Sequence, residues 1–264
     1  TAPSVATGGA SGSSGIAADG AVAKGGGAGG TGEASGVGAG GAGGVGTGGL
    51  AGTSDAGAGG MGGSPVVGPW PPTDTFANPV HWQDLADLEV IRVDDTFYYT
   101  ASTMHYSPGA PILRSYDLVG WEMVGHSVPK LDFGAKYDMQ GGRAYVKGIW
   151  ASTLGYRKSN QTFYWLGCIE FSKTYVFTAT SVTGPWTQHP AINNCYYDAG
   201  LLIDDDDTMY VAYGATNISV AKLSADGLTQ VSTQQVFTTP GNIGVLEGAR
   251  FYKVDGDYYI VLTH

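Results

Sequence analysis

The sequence predicts an all-β domain built from repeated four-stranded blades, because one pattern recurs four times in its aromatic part. Each repeat ends in an aromatic strand with a tyrosine at an equivalent place. These anchors are 66, 46 and 49 residues apart, a spacing typical of propeller blades rather than of helical repeats. Turn signals recur too often for long helices. The four anchor residues are Tyr98, Tyr164, Tyr210 and Tyr259.

Domain organisation follows from the glycine content. Of the 44 glycines, 27 fall in the first 68 residues, among Ala, Ser and Thr. Such a segment cannot bury enough apolar surface to offset the entropy of ordering it. We therefore predict a disordered linker over residues 1–68 and one folded domain over residues 69–264.

Charge and hydropathy exclude two classes of partner. The formal net charge of −10, with acids spread over turns, argues against a nucleic-acid partner. No 18-residue apolar run is present, so no membrane span is expected. Neither a basic n-region nor an apolar h-region follows Thr1, so a signal peptide is either already removed or absent, and secretion is an inference.

The two cysteines, Cys168 and Cys195, leave alternatives open. They form no CxxC motif and have no nearby histidine pair, so a zinc site is improbable. A disulfide and two buried free thiols fit the sequence about equally well.

Hairpins with acidic turns account for the start of three repeats. Residues 88–93 alternate, Asp94 and Asp95 form a turn, and residues 96–100 return as a second strand. Residues 201–211 and 251–261 repeat this pattern. The acidic run 204–207 is interpreted as a hairpin turn rather than a calcium loop, because the Gly and terminal Glu of an EF-hand are missing.

Three carboxylates stand at matched places before these strands. Asp87 lies 11 residues before its anchor tyrosine, and Asp198 and Glu247 each lie 12 before theirs. Equivalent positions of successive blades surround one axis, so the three should converge at the mouth of a central channel. Paired carboxylates are what glycosidic bond cleavage requires. The competing interpretation is that each acid caps a turn; Asp84 and Glu89 are expected to be solvent or turn residues.

The repeat without a carboxylate has Trp150 in that place, 14 residues before its tyrosine. Sugars present weakly apolar ring faces, so their sites combine an aromatic wall with hydrogen-bond donors. Trp150 is the best candidate for such a wall, although a Trp at a strand start is as often packed core.

Several ordered motifs are found at residues 87–99, 106–111, 145–154 and 197–200, and at the pair Glu247-Gly248. Together they resemble glycoside hydrolase family 43, and most closely its fungal-type arabinoxylan arabinofuranohydrolases. The resemblance covers roughly residues 76–264. It departs from the general pattern at Leu88, at Ala199 and at Ala249, where many members have proline.

The resemblance implies a five-bladed propeller and an inverting mechanism. It assigns Asp87 as the base, Asp198 as the aspartate that tunes the pKa of the acid, and Glu247 as the acid. Similar enzymes line the pocket with the loop that here carries His105 and Tyr106, although His105 could equally be a surface histidine. The implied reaction removes α-L-arabinofuranosyl groups from arabinoxylan. An exo-β-xylosidase, an endo-arabinanase and a non-catalytic carbohydrate-binding propeller are the alternatives.

The family pattern continues beyond the fourth repeat, where this chain stops at His264. The resemblance therefore implies a partial domain that lacks a fifth blade and its pocket histidine, and we expect little or no activity from the 264-residue chain alone. No cofactor is required. The family pattern leaves room for a structural calcium or other cation at the propeller axis, and no metal is assigned to the site residues.

Overall fold

A computed structural model describes residues 75–264. The predicted linker over residues 1–68 and the predicted domain boundary at residue 69 lie outside the described residues. Over the described range the fold is all-β, as predicted: it consists of antiparallel strands with a single turn of 3-10 helix at Ala135–Asp138.

The first sheet has four strands in the order in which they occur along the chain. Its first two strands pair from Glu89 opposite Thr100 to Val93 opposite Thr96, so Asp94 and Asp95 form the predicted turn. The sheet consists of β1 (Glu89–Val93), β2 (Thr96–Thr100), β3 (Gly109–Ser115) and β4 (Glu122–Val128).

The second and third sheets repeat this four-stranded order. The second consists of β5 (Ile149–Arg157), β6 (Thr162–Ile169), β7 (Lys173–Ala179) and β8 (Thr187–Gln188), and the third of β9 (Gly200–Ile203), β10 (Met209–Tyr213), β11 (Asn217–Leu223) and β12 (Gln230–Thr238).

The fourth sheet, as far as the described residues extend, is a hairpin of β13 (Glu247–Val254) and β14 (Asp257–Thr263). All four anchor tyrosines lie on the second strand of their sheets, which confirms the repeat: Tyr98 on β2, Tyr164 on β6, Tyr210 on β10 and Tyr259 on β14. The number of blades in a complete domain stays a prediction.

The first strands of successive sheets lie side by side: β1 next to β5, β5 next to β9, and β9 next to β13. Two apolar clusters lie between neighbouring sheets. One unites Ile112 of the first sheet with Leu154 and Trp165 of the second. The other unites Leu166 of the second sheet with Met209 of the third. Aromatic and aliphatic side chains on alternating strand positions therefore hold the sheets face to face.

Two glycines permit close approaches near the strand starts. A Cβ at Gly200 would stand 2.6 Å from the carbonyl oxygen of Ala249, so β9 and β13 could not lie this close with any larger residue. Gly148 has a φ of +106°, and a Cβ there would stand 2.4 Å from the carbonyl oxygen of Met104. Glycine at these positions fixes the spacing between neighbouring sheets.

A disulfide joins Cys168 and Cys195, with an S–S length of 2.03 Å. It connects the end of β6 to the segment that precedes β9 and decides between the two alternatives that the sequence left open. Among residues 75–264, no helix has the length and apolarity that crossing a bilayer requires.

Candidate active site

The three predicted carboxylates occupy the starts of first strands. Asp87 lies two residues before β1, Asp198 lies two residues before β9, and Glu247 is the first residue of β13. Asp87 and Asp198 share a left-handed backbone, with φ of 56° and 51°. Few side chains tolerate this conformation, and aspartate is one of them. The two sheets therefore present their aspartates with the same local geometry.

Two hydrogen bonds join the start of β9 to the start of β13. The backbone N–H of Gly248 donates to Oδ2 of Asp198 at 3.0 Å, and the hydroxyl of Tyr197 donates to Oε2 of Glu247 at 3.0 Å. Burial raises the pKa of Asp198 to about 6, the Gly248 hydrogen bond opposes the rise, and the negative charges of Glu247 and Asp87 add to it. Asp198 and Glu247 are thus electrostatic neighbours.

Asp87 completes the group from the first sheet. Its side chain accepts a hydrogen bond from the Ser102 hydroxyl at 2.5 Å, and its charge contributes to the raised pKa values of Tyr197 and Asp198. The residues that the structure describes contain no group of three His, Cys, Asp or Glu side chains that could hold a metal ion. The carboxylates are therefore neighbours without forming a metal-binding cluster. We refer to Asp87, Asp198 and Glu247 as the carboxylate triad.

Glu89 was expected to be a solvent or turn residue, and that expectation is wrong. Its exposed fraction is 5 per cent, whereas Leu88 is 52 per cent exposed. Oε2 of Glu89 accepts a hydrogen bond from the Thr153 hydroxyl at 3.1 Å and lies 3.3 Å from Nε of Arg250. Burial raises the pKa of Glu89 to about 7, although Arg250 and Thr153 both act to lower it. At the start of β1, the side chain that faces the protein interior is therefore that of Glu89.

Arg250 ties together the strand starts that carry the triad. Its guanidinium donates to the main-chain carbonyls of Asp87 at 3.2 Å and Leu88 at 2.9 Å in the first sheet. It also donates to Ala199 at 2.9 Å in the third sheet and to Ala249 at 3.0 Å in its own strand. One cation thus satisfies carbonyl groups from three sheets, which is the geometry that a planar guanidinium provides. Sequence reasoning assigned it no role.

The second sheet joins this network through Thr153. Its hydroxyl, which donates to Glu89, also accepts a hydrogen bond from the backbone N–H of Leu201 at 2.9 Å. We refer to Arg250, Glu89 and Thr153 as the axial network. It connects all four described sheets next to the triad.

The predicted pocket loop lies against the start of β5. Met104 pairs with Ile149, the residue before Trp150, and Trp150 itself is partly buried. The ring of His105 stacks on Tyr106 at 4.6 Å between centroids, and Tyr106 is 66 per cent exposed. The structure therefore brings His105 and Tyr106 to the beginning of the strand that carries Trp150.

One exposed aromatic residue near the triad escaped the sequence analysis. Phe171 lies in the turn between β6 and β7, has a φ of 53° and is 69 per cent exposed. Its ring centroid lies 5.6 Å from that of Tyr197, with an interplanar angle of 30°. The only sequence signal is a large aromatic residue at a turn, where glycine or a small polar residue is more usual.

The acidic run 204–207 forms the turn between β9 and β10, as predicted. Asp204 accepts hydrogen bonds from Nζ of Lys253 and from the Tyr258 hydroxyl, both at 2.6 Å, and these contacts lower its pKa to about 2. Asp207 pairs with Arg157 of the second sheet. The turn therefore links the third sheet to both of its neighbours.

A family model described as glycosyl hydrolases family 43 matches residues 76–264. A xylan 1,3-beta-xylosidase from a Vibrio species is 30% identical over 211 residues, which cover 72% of this chain and 38% of the relative. A non-reducing end alpha-L-arabinofuranosidase from Bacteroides ovatus is 29% identical over 200 residues, which cover 72% of this chain and 36% of the relative.

A solved structure is also similar to this chain. It belongs to an engineered family 43 glycoside hydrolase described as displaying both endo-xylanase and exo-arabinofuranosidase activity. It is 54% identical with a TM-score of 0.68, over 71% of this chain and 38% of that one. The chain thus spans just over a third of the length of these relatives, 36% to 38%. Because the family model covers most of the sequence, this chain belongs to glycosyl hydrolases family 43.

Proposed function

We propose that the protein is an inverting glycoside hydrolase that removes α-L-arabinofuranosyl groups from arabinoxylan. The observation that carries the proposal is the carboxylate triad, in which three acids from three sheets meet at equivalent strand starts in a family 43 chain. Cleavage of a glycosidic bond needs one acid to protonate the leaving oxygen and one carboxylate to activate water.

In the proposed mechanism Asp87 removes a proton from a water molecule. The water oxygen bonds to the anomeric carbon on the face opposite the leaving group. As the glycosidic bond breaks, Glu247 gives its proton to the leaving oxygen, and the released sugar has the inverted configuration. Asp87 then returns its proton to solvent and Glu247 takes one up. We expect the two carboxyl groups to lie about 6.5 to 9.5 Å apart, which leaves room for that water.

The contacts of the triad support these roles. The Ser102 hydroxyl donates a hydrogen bond to Oδ2 of Asp87 and so orients the carboxylate that is to act as the base. Tyr197 orients Glu247 through its hydroxyl. Asp198 lies beside Glu247, whose negative charge adds to the raised pKa of Asp198, and this proximity fits the tuning role that the family pattern gives to Asp198.

The choice of sugar rests on the relatives. The 54% identical structure is described with exo-arabinofuranosidase activity, and the Bacteroides relative is named as an arabinofuranosidase. The Vibrio relative, at 30% identity, is named as a xylosidase, so an exo-β-xylosidase is the second candidate. Trp150, His105 and Tyr106 are the residues that we propose to contact the sugar.

Three further parts of the proposal concern the whole protein. A five-bladed propeller is supported by the repeated sheets and the family. Secretion, and with it access to plant cell-wall arabinoxylan, is supported by the disulfide, which is typical of oxidising compartments. A structural calcium or other cation at the axis stays a prediction: within residues 75–264 no three His, Cys, Asp or Glu side chains are grouped so that they could hold a metal ion. No step of the mechanism uses a metal.

The test uses the full-length protein encoded by the gene that contains these residues. Wild type is incubated with arabinoxylan, an aryl arabinofuranoside and an aryl xyloside. Glu247→Gln should reduce turnover by about 10² to 10⁴ and keep its affinity for arabinoxylan oligosaccharides. The matched control is Glu122→Gln, which removes a partly exposed carboxylate paired with Arg114 on the first sheet. Cleavage of the xyloside alone would favour the second candidate. If wild type binds the polymer and cleaves none of the three, the chain is a carbohydrate-binding module.

A further inference from the structure

We propose that Phe171 is the platform for the sugar ring that carries the leaving group, and that it sets the preference for polymer over small glycosides. This inference rests on the proposed function. It assigns a specificity-determining role to a residue in the turn between β6 and β7, outside the carboxylate triad.

The position of Phe171 follows from a chain of contacts. Phe171 of the second sheet packs on Tyr197, which precedes β9 of the third sheet, at 5.6 Å between ring centroids. The Tyr197 hydroxyl in turn donates to Glu247 of the fourth sheet at 3.0 Å. Phe171 therefore belongs to the Glu247 side of the triad.

The Glu247 side is where the polymer must lie. In the proposed mechanism Glu247 protonates the oxygen of the leaving group, whereas Asp87 activates water on the opposite face. The sugar that departs is consequently next to Glu247 and Tyr197. An exposed aromatic ring at that place offers an apolar surface to a sugar face.

Folding does not explain why an aromatic residue occupies this turn. Phe171 is 69 per cent exposed, so its ring gains little from burial. Its φ of 53° is strained for a non-glycine residue, and the preceding Glu170 also has a positive φ, 59°. Exposed, strained residues next to a catalytic group are characteristic of functional positions.

The turn that carries Phe171 is anchored through the neighbouring residue Glu170. Glu170 accepts a hydrogen bond from the Tyr137 hydroxyl at 2.7 Å and pairs with Nζ of Lys136. Both partners belong to the 3-10 helix Ala135–Asp138. Preorganisation of this kind lowers the entropy cost of binding.

The decisive variant is Phe171→Gly. Glycine accepts a positive φ without strain, so the turn keeps its backbone and loses only the ring. We expect kcat/KM for an arabinosylated xylo-oligosaccharide to fall about tenfold, the size of a lost aromatic contact. For methyl arabinofuranoside, whose leaving group has no ring, kcat/KM should stay within about twofold. Phe171→Trp should restore the preference for the oligosaccharide.

Stability separates this role from a structural one. The Tm of Phe171→Gly should equal or exceed that of wild type, because strain is relieved. Phe237→Ala, which removes an exposed aromatic ring from β12, should change neither substrate ratio nor Tm by much. If Phe171→Gly lowers the Tm by several degrees and lowers kcat/KM equally for both substrates, the proposal that Phe171 is a platform is overturned.

The outcomes distinguish the two proposals. If wild type cleaves both glycosides and Phe171→Gly keeps the wild-type ratio of kcat/KM, the platform is wrong and the hydrolase stands. If wild type cleaves neither, the proposed hydrolase is wrong. In that case, the affinity of each protein for the oligosaccharide, measured by calorimetry, tests whether Phe171 is a platform. Weaker binding by Phe171→Gly than by wild type supports this role, and equal binding refutes it.

Discussion

The substitution Glu89→Gln tests the energetics of the axial network. Glu89 is a buried acid that accepts a hydrogen bond from Thr153 and lies 3.3 Å from Nε of Arg250. Burial raises its pKa from an ordinary 4.5 to about 7. Glutamine keeps the size of the side chain and its hydrogen-bonding oxygen but stays neutral at every pH.

The sign of the effect follows from proton binding. Between pH 4.5 and 7 the unfolded chain has lost the Glu89 proton while the folded protein keeps it. The free energy of unfolding of wild type therefore falls as pH rises, by about 1.4 kcal/mol for each pH unit, or about 3 kcal/mol over the interval. The stabilisation by protonated Glu89 is complete below pH 4.5 and lost above pH 7. Glu89→Gln lacks this fall.

Urea unfolding at half-unit intervals from pH 4 to pH 8 measures the difference. We expect the free energy of unfolding of Glu89→Gln, relative to wild type, to increase by about 3 kcal/mol across this range. Asp198 titrates in the same range in both proteins, so its contribution cancels in the comparison. Glu122→Gln reports the effect of losing one surface charge. A difference that stays constant from pH 4 to pH 8 would refute the reasoning.

Two other predictions concern the triad and the sheet spacing. The kcat/KM profile of Asp198→Asn should lack the inflection near pH 6 that titration of Asp198 produces in wild type, because burial and the charges of Glu247 and Asp87 raise the pKa of Asp198 to about 6; an inflection that persists in the variant would count against the role of Asp198. Gly148→Ala should lower the free energy of unfolding by about 2 kcal/mol or more in urea, because the new Cβ would stand 2.4 Å from the Met104 carbonyl oxygen. Gly241→Ala, whose new Cβ would have no neighbouring atom within 4 Å, is the control and should have little effect.

Local patterns made much of the fold predictable. A hairpin is specified by two strands and the short turn between them, which are neighbours in the sequence, so the paired strands β1–β2, β9–β10 and β13–β14 appear where the sequence places them. The repeat of tyrosine anchors and acidic strand starts then predicts which residues become equivalent in space.

Contacts between sheets were harder to foresee. Leu88 and Glu89 alternate like any half-buried strand, and hydrophobicity alone favours burying the leucine. The structure buries the acid because Arg250, 161 positions further along the chain, supplies a partner from another sheet. Likewise, the local sequence does not reveal that Phe171 contacts Tyr197, which precedes the first strand of the next sheet. Pairings of this kind depend on how the sheets are arranged relative to one another.

The stereochemical course of hydrolysis tests the central claim most directly. With Asp87 as the base that activates water and Glu247 as the acid, each turnover is a single displacement. Proton NMR at early times, with the longest encoded protein and an arabinosylated oligosaccharide, resolves the anomer that is released first. We expect a first product of inverted configuration. A first product with the configuration of the substrate would contradict it, because retention requires a covalent intermediate on one of the carboxylates.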